Sequence, residues 1–185
     1  KNPSPILREN ALGIFNHLSS VLLSGPNIDS YLLGFRDIFA TNLQDDKNPV
    51  VRLAALEATC SVILSLERQQ FAAYQELVPL MLQTIAQLLN MKDEESAATA
   101  IQNFIEITVN KASFLQKQIN PIITAMFQIA KPTDLDDAIR HSAVEFIIST
   151  TESIPKTVKK IPNFVDNLFP FCMTLMLDLD HDDKE

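Results

Sequence analysis

The sequence predicts an all-α protein, a solenoid of antiparallel helix pairs wound as a right-handed superhelix. Three observations lead there. Four segments of the chain align with one another: Pro5-Ile-Leu-Arg8-Glu-Asn-Ala11-Leu12, Pro49-Val-Val-Arg52-Leu-Ala-Ala55-Leu56, Glu94-Glu-Ser-Ala97-Ala-Thr-Ala100-Ile101 and Asp137-Ala-Ile-Arg140-His-Ser-Ala143-Val144. Their last apolar residues, Leu12, Leu56, Ile101 and Val144, recur at separations of 44, 45 and 43 residues. Each segment opens a stretch of helical hydrophobic period, as in Leu53, Leu56, Cys60, Ile63 and Leu64, which share one face. Finally, the 185 residues include only three glycines, too few for the positive-φ turns that a hairpin-rich sheet demands.

The elements follow in order. Residues 1–24 read as the second (B) helix of a partial repeat. Residues 27–67, 70–110 and 112–154 read as three complete repeats, each an A helix followed by a B helix. Residues 156–178 read as the A helix of a last partial repeat, and 179–185 as an acidic tail. The A stretches run Ile28–Leu43, Phe71–Leu89, Ala112–Ala130 and Val158–Leu177. Short polar turns join A to B: Gln44-Asp45-Asp46-Lys47-Asn48, Asn90-Met91-Lys92-Asp93 and Lys131-Pro132-Thr133-Asp134. Pro79, Pro121 and Pro170 recur within the A stretches, where a residue lacking an N–H bends a helix or occupies its first turn. Two helices per period of this length is the pattern of HEAT repeats.

A charge pattern repeats as well. Asp46 lies six residues before Arg52, and Asp134 six before Arg140. This spacing predicts a structural ladder along the stacked repeats, because the arginine fork grips two acceptors at once. Asn2 stands at the Asp position of the first repeat, and Met91 and Ala97 replace the pair in the third, so the ladder is expected to break there.

Composition excludes several functions. Fifteen Lys+Arg against 23 Asp+Glu give a net charge of −8, with no Trp. That balance is a poor match to the phosphates of nucleic acid, and it weighs against a HEAT-fold DNA glycosylase. No apolar run reaches the roughly 20 residues that span a bilayer, and Lys1-Asn2-Pro3-Ser4-Pro5 does not open a secretory signal. Cys60 and Cys172 sit in apolar helical patterns and read as buried, reduced thiols. No cofactor, metal or catalytic constellation is expected. His17, His141 and His181 fall in different repeats, and neither GxSxG nor a P-loop occurs. Asp178, Asp180, Asp182, Asp183 and Glu185 lack the central Gly and terminal Glu of a calcium loop. The Lys156-Thr-Val-Lys159-Lys160 cluster reads as a solvated turn, and Phe104, Phe146, Phe164 and Phe169 read as core.

B helices of a solenoid usually line its concave side. On them, positions one, five and nine after the aligned apolar residue fall on one side of the helix. These are Glu57, Ser61 and Ser65; Gln102, Glu106 and Asn110; and Glu145, Ser149 and Ser153. Stacked, they would form a mildly acidic, hydrogen-bonding stripe able to follow an extended segment of a partner protein. In the first repeat the same positions are Gly13, His17 and Val21, so the stripe fades towards the N-terminus.

Taken together, the stretches Asn2-Pro3-Ser4-Pro5-Ile-Leu-Arg8-Glu-Asn-Ala11-Leu12, Phe71 through Ile85, and Arg140 through Asp183 resemble the importin-beta-type nuclear transport receptors, or karyopherins. They are most similar to the karyopherin beta-3 (importin 5) type. The resemblance covers the whole chain, carried by order and spacing rather than by one motif. It implies a portion of a longer array, following its first two or three repeats. It implies protein cargo with basic nuclear-localisation-type segments on the concave face, released by Ran in its GTP form. It further implies phenylalanine-glycine nucleoporins between A helices on the convex face, and shuttling between cytoplasm and nucleus. The alternative is a HEAT scaffold or adaptor indifferent to Ran. Uncovered apolar faces on the end helices imply weak self-association.

Overall fold

The computed structural model describes residues 4–25, 28–131 and 134–182, with side chains as far as residue 176. Among the described residues there are ten α-helices and no strand. The first, α1 (Pro5–Leu22), is capped by Ser4, whose hydroxyl accepts from the Leu7 N–H, and Pro5 occupies its first turn. It is followed by α2 (Asp29–Leu43) and by α3 (Pro49–Ser65), which again starts on proline. A single 3-10 turn, Arg68–Gln70, leads into α4 (Phe71–Gln75) and α5 (Val78–Asn90). Next come α6 (Glu94–Leu115), capped by the Asp93 carboxylate on the Ser96 N–H at 3.2 Å, and α7 (Ile119–Ala130). The chain closes with α8 (Asp137–Ser153), capped by Asp136, then α9 (Pro155–Val158) and α10 (Phe164–Asp182).

The B helices are α1, α3, α6 and α8, and each packs directly on the next. Each of α2, α5 and α7 packs on the B helix that follows it, while A-to-A contact is sparse. A two-layer array whose B layer is the more closely spaced curves towards that layer. The core is one continuous cluster running through every repeat, including Leu12, Phe39, Leu56, Ile63, Ile101, Phe104, Met126 and Phe146. Burying each such side chain contributes about 1.5–3 kcal/mol.

The A stretches are broken where the period alone suggested continuous helices. α4 ends before Pro79, which sits in the first turn of α5, where a missing N–H costs nothing. Lys111 leaves helical geometry (φ −140°, ψ 41°) and kinks α6, so its last residues already belong to the next A stretch. Pro121 is the third residue of α7 and Pro170 lies inside α10. Asn163, at φ 56°, turns the chain from α9 into α10.

Two expectations about the end of the chain are corrected. Cys60 is buried, but Cys172 is exposed. Phe104, Phe146 and Phe164 are buried, but Phe169 is 68% exposed. The cause is the same for both. Helix α10 packs one face, through Phe164 and Phe171, on Phe127, and among the described residues Val165, Phe169 and Met176 on its other side are exposed. α10 also continues to Asp182, beyond the boundary at 178. The side chains of Asp178, Asp180, His181 and Asp182, all of residues 183–185, and Asn2 lie outside what is described.

Candidate protein-binding face

The edge where A helices turn into B helices is bound by arginines. Arg8 pairs with Asp45 of the next repeat at 2.5 Å and donates to Asn42 Oδ1 at 3.1 Å. Burial alone would raise the Asp45 pKa. Hydrogen bonds from Asn48, Arg8 and the Lys47 N–H, with the guanidinium charge, outweigh it and hold the carboxyl down at about 2. Arg52 is 1% exposed, pairs with Asp46 at 3.1 Å and reaches Thr84 of the next A helix at 3.4 Å. Gln87 donates to the same Asp46 oxygen at 3.3 Å. In the fourth repeat, Arg140 pairs with Asp137 at 2.9 Å, whereas the spacing singles out Asp134. Asp137 lies one helical turn before Arg140, so both sit on the same face of α8. The Arg140 Nε also donates to the Ala130 carbonyl at 3.3 Å. The Arg8–Asp45 link escaped the sequence reading, although Arg8 aligns with Arg52 and Asp45 adjoins Asp46.

The broad polar surface is built by the B helices. Glu57 and Ser61 are half-buried on α3 and Ser65 is exposed; Gln102, Glu106 and Asn110 are exposed on α6; on α8, Glu145 and Ser153 are exposed and Ser149 is half-buried. Neighbouring helices meet here through side chains. Gln102 Nε2 donates to Glu145 Oε2 at 3.3 Å and approaches Ser142 Oγ at 3.5 Å. The Ser61 hydroxyl donates to Asn16 Oδ1 on α1. Ser65 and Asn110 instead turn back onto carbonyls of their own helices. Burial pushes the Glu57 pKa up, and the His17 charge opposes that shift. Beneath the surface the Cys60 thiol donates to the Asn103 carbonyl at 3.4 Å, and burial beside Glu106 and Glu57 raises its pKa far enough to keep it a thiol. Asn16, Ser142 and Asn103 are lateral partners that the fixed register did not pick out. Among the described residues, no group of three or more His, Cys, Asp or Glu could hold a metal, and no helix is long and apolar enough to cross a membrane.

Stacked A–B pairs, with Arg8 and Arg52 reaching across two of their junctions and polar side chains along the B helices, define a HEAT-type helical-repeat protein. Residues 1–125 match the family described as IPO5-like, TPR repeats, and residues 132–185 match the importin repeat. The chain belongs to the importin-beta family, in its importin-5-like branch. It is 22% identical over 185 residues to importin subunit beta-3 of Saccharomyces cerevisiae, covering all of this chain and 16% of that protein. It is 24% identical over 162 residues to a probable importin-5 homolog of Dictyostelium discoideum, covering 86% of this chain and 15% of that one. Crystal structures of Kap121p share the fold. The free form superposes with a TM-score of 0.80 at 20% identity, over 98% of this chain and 17% of that chain. Kap121p bound to RanGTP gives 0.80 at 19% identity, with the same coverage. The chain thus spans about a sixth of the length of the relatives it matches.

Proposed function

We propose that this chain is part of a nuclear transport receptor that holds protein cargo on its B-helix face. The observation that carries this reading is membership of the importin-5-like family over most of the chain. The cargo surface is Glu57, Ser61, Ser65, Gln102, Glu106, Asn110, Glu145, Ser149 and Ser153. Its carboxylates suit basic, nuclear-localisation-type segments, and complementary charge raises encounter rate and selects partners. In the whole protein, Ran in its GTP form selects a superhelix pitch with poor cargo affinity. Kap121p has been crystallised with RanGTP, Nup53p and Ste12p, which supports cargo, Ran and nucleoporins as partner classes. A cavity of about 250 Å³ between α5 and α7, lined by Leu82, Ile85, Leu89, Met126 and Ile129, suits a nucleoporin phenylalanine. The protein shuttles between cytoplasm and nucleus, and the reading assigns it no cofactor and no chemical step. Exposed Ile14 and Val21 on α1, with Phe169 and Met176 on α10, favour weak self-association of this segment.

The test is a titration of Ran, loaded with GTP or GDP, against a longer chain containing this segment, with a labelled basic peptide bound. Release of the peptide by the GTP form alone is the expected result. Indifference to the nucleotide would move the protein to the scaffold class.

A further inference from the structure

The opposite edge of the array, where B helices turn into A helices, carries a charge that contradicts the rest of the chain. The A-to-B edge is acidic, with Asp93, Glu94, Glu95, Asp136 and Asp137 at the turns of the third and fourth repeats. The B-to-A edge of the same repeats carries Lys117, Lys156, Lys159 and Lys160, all exposed, with Arg68 one turn earlier. Lys156, Lys159 and Lys160 lie at i, i+3 and i+4 along α9 and its C-terminal end, so they project to one side. A hydrogen bond of 2.8 Å from Gln116 Nε2 to Thr157 Oγ1 ties the Lys117 turn to the Lys156 turn. A cavity of about 250 Å³, lined by Arg68, Gln75, Ser113, Gln116 and Lys117, joins that turn to the one before. The cations therefore form a continuous strip over three consecutive turns. None of these five side chains makes an ion pair among the described residues. The nearby carboxylates are mostly engaged elsewhere. Glu67 caps the 3-10 turn and accepts from Gln69, and Glu76 faces Arg36 at 3.8 Å. Glu152 is exposed at the end of α8.

We propose that this basic edge is a docking strip for an extended acidic polypeptide segment, separate from the B-helix face. Charge complementarity selects the partner: in a chain of net charge −8, a strip of unpaired cations attracts carboxylates locally, while the rest of the surface repels acidic chains that arrive in another orientation. The geometry selects an extended form. Packed helices put neighbouring turns roughly 10 Å apart, and extended polypeptide advances about 3.3 Å per residue. An acidic side chain at every third residue would meet one turn after another, and the cavity beside Lys117 has room for one of them.

Binding is read by fluorescence anisotropy with a labelled peptide about 20 residues long carrying Glu at every third position. The chain is titrated at about 50 mM and about 300 mM salt, conditions that bracket strong and weak screening. The combined substitution Lys117→Gln, Lys156→Gln, Lys159→Gln and Lys160→Gln is expected to weaken binding at low salt by about tenfold or more. A control with Lys47→Gln, Lys92→Gln and Lys131→Gln, on the acidic edge, is expected to stay within about twofold. All seven positions are surface lysines in turns or helix ends, and unchanged helical circular dichroism verifies that both variants are folded. Equal weakening in the two variants would reduce the effect to net charge and overturn the proposal. So would the absence of binding at low salt. A single-stranded oligonucleotide of matched length and charge that binds as tightly as the peptide would overturn the assignment to polypeptide.

Discussion

Between the second and third repeats, Arg52 crosses the A-to-B edge, buried, with Asp46 on one side and Thr84 on the other. Between the third and fourth, the aligned residue is Ala97, also fully buried, and that edge is crossed by the Glu94 carboxylate accepting from the Asp136 N–H at 2.6 Å. The same place in the fold is filled at one junction by a desolvated guanidinium and at the next by a methyl group. The guanidinium is incompletely matched, since its Nη2 is buried without a partner. A buried ion of this kind contributes register more than net stability. At the apolar junction, cohesion comes from packing, as in the edge-to-face contact of Phe104 with Phe146 at 6.3 Å.

Truncation in the apolar junction carries the largest expected effect. Phe146→Ala should cost about 4 kcal/mol, from lost transfer energy and the cavity left behind. In a stack where each repeat contacts only its neighbours, hydrogen exchange should accelerate in α6, α7 and α8 while α1 and α3 stay protected. Uniform acceleration along the chain would show that the junctions are not separable.

At the charged junction, Arg52→Ala should cost about 3 kcal/mol, because it leaves a void and removes the guanidinium from Asp46, Thr84 and the packed helices around them. Arg52→Met, which refills the volume without the charge, should cost under about 1.5 kcal/mol. Asp46, with 76% of its side chain exposed, can be rehydrated. Urea denaturation of the pair decides the point. Equal losses for Ala and Met would mean that the charge, not the volume, stabilises this edge.

The contrast between the two junctions was partly legible beforehand. Periodicity shows which residues share a helix face, so the repeat length, the order of A and B helices and the interruption at Ala97 follow from counting. Periodicity does not show what covers a face. Phe169 and Cys172 therefore look like core residues in the sequence yet stand exposed on α10. Nor does it reveal breaks set by tertiary packing. Pro79 announces a break before α5, but nothing local to Lys111 announces the kink in α6. On the B-helix face, the approach of Gln102 to Glu145 follows from residues that share a register 43 apart. The pairing of Ser61 with Asn16 depends on how far α1 is rotated against α3, which no single-helix pattern contains.

A third junction, between the first and second repeats, where Arg8 meets Asp45, extends the comparison to pH. Asp45 is shifted from an ordinary 3.8 to about 2. An acid whose pKa is depressed by folding stabilises the native state above its unfolded value, and that stabilisation fades as pH falls through the folded value. Asp45→Asn should therefore cost about 2 kcal/mol at neutral pH. The gap from the natural sequence should shrink between pH 3.8 and about 2. A gap independent of pH would assign the loss to altered packing rather than to the Arg8 pair.

The smallest effects lie on the basic edge, where contacts between repeats also differ in charge and burial. From the third repeat, Lys111 Nζ donates to the Leu66 carbonyl at the end of α3, at 2.9 Å and partly buried. A cation on a helix C-terminus satisfies an orphan carbonyl and opposes the helix dipole. Between the fourth repeat and the last partial one, the contact of Gln116 with Thr157 is exposed and neutral. Lys111→Met should cost about 1 kcal/mol, and Gln116→Ala only a few tenths, roughly 0.3 kcal/mol. Lys111→Met adds no backbone cost, since Met tolerates φ −140° as readily as Lys does. Chemical denaturation with hydrogen exchange at the α3 C-terminus separates the two variants. Loss of protection there in Lys111→Met alone is expected, and its absence would mean that α3 is closed by packing and not by the lysine.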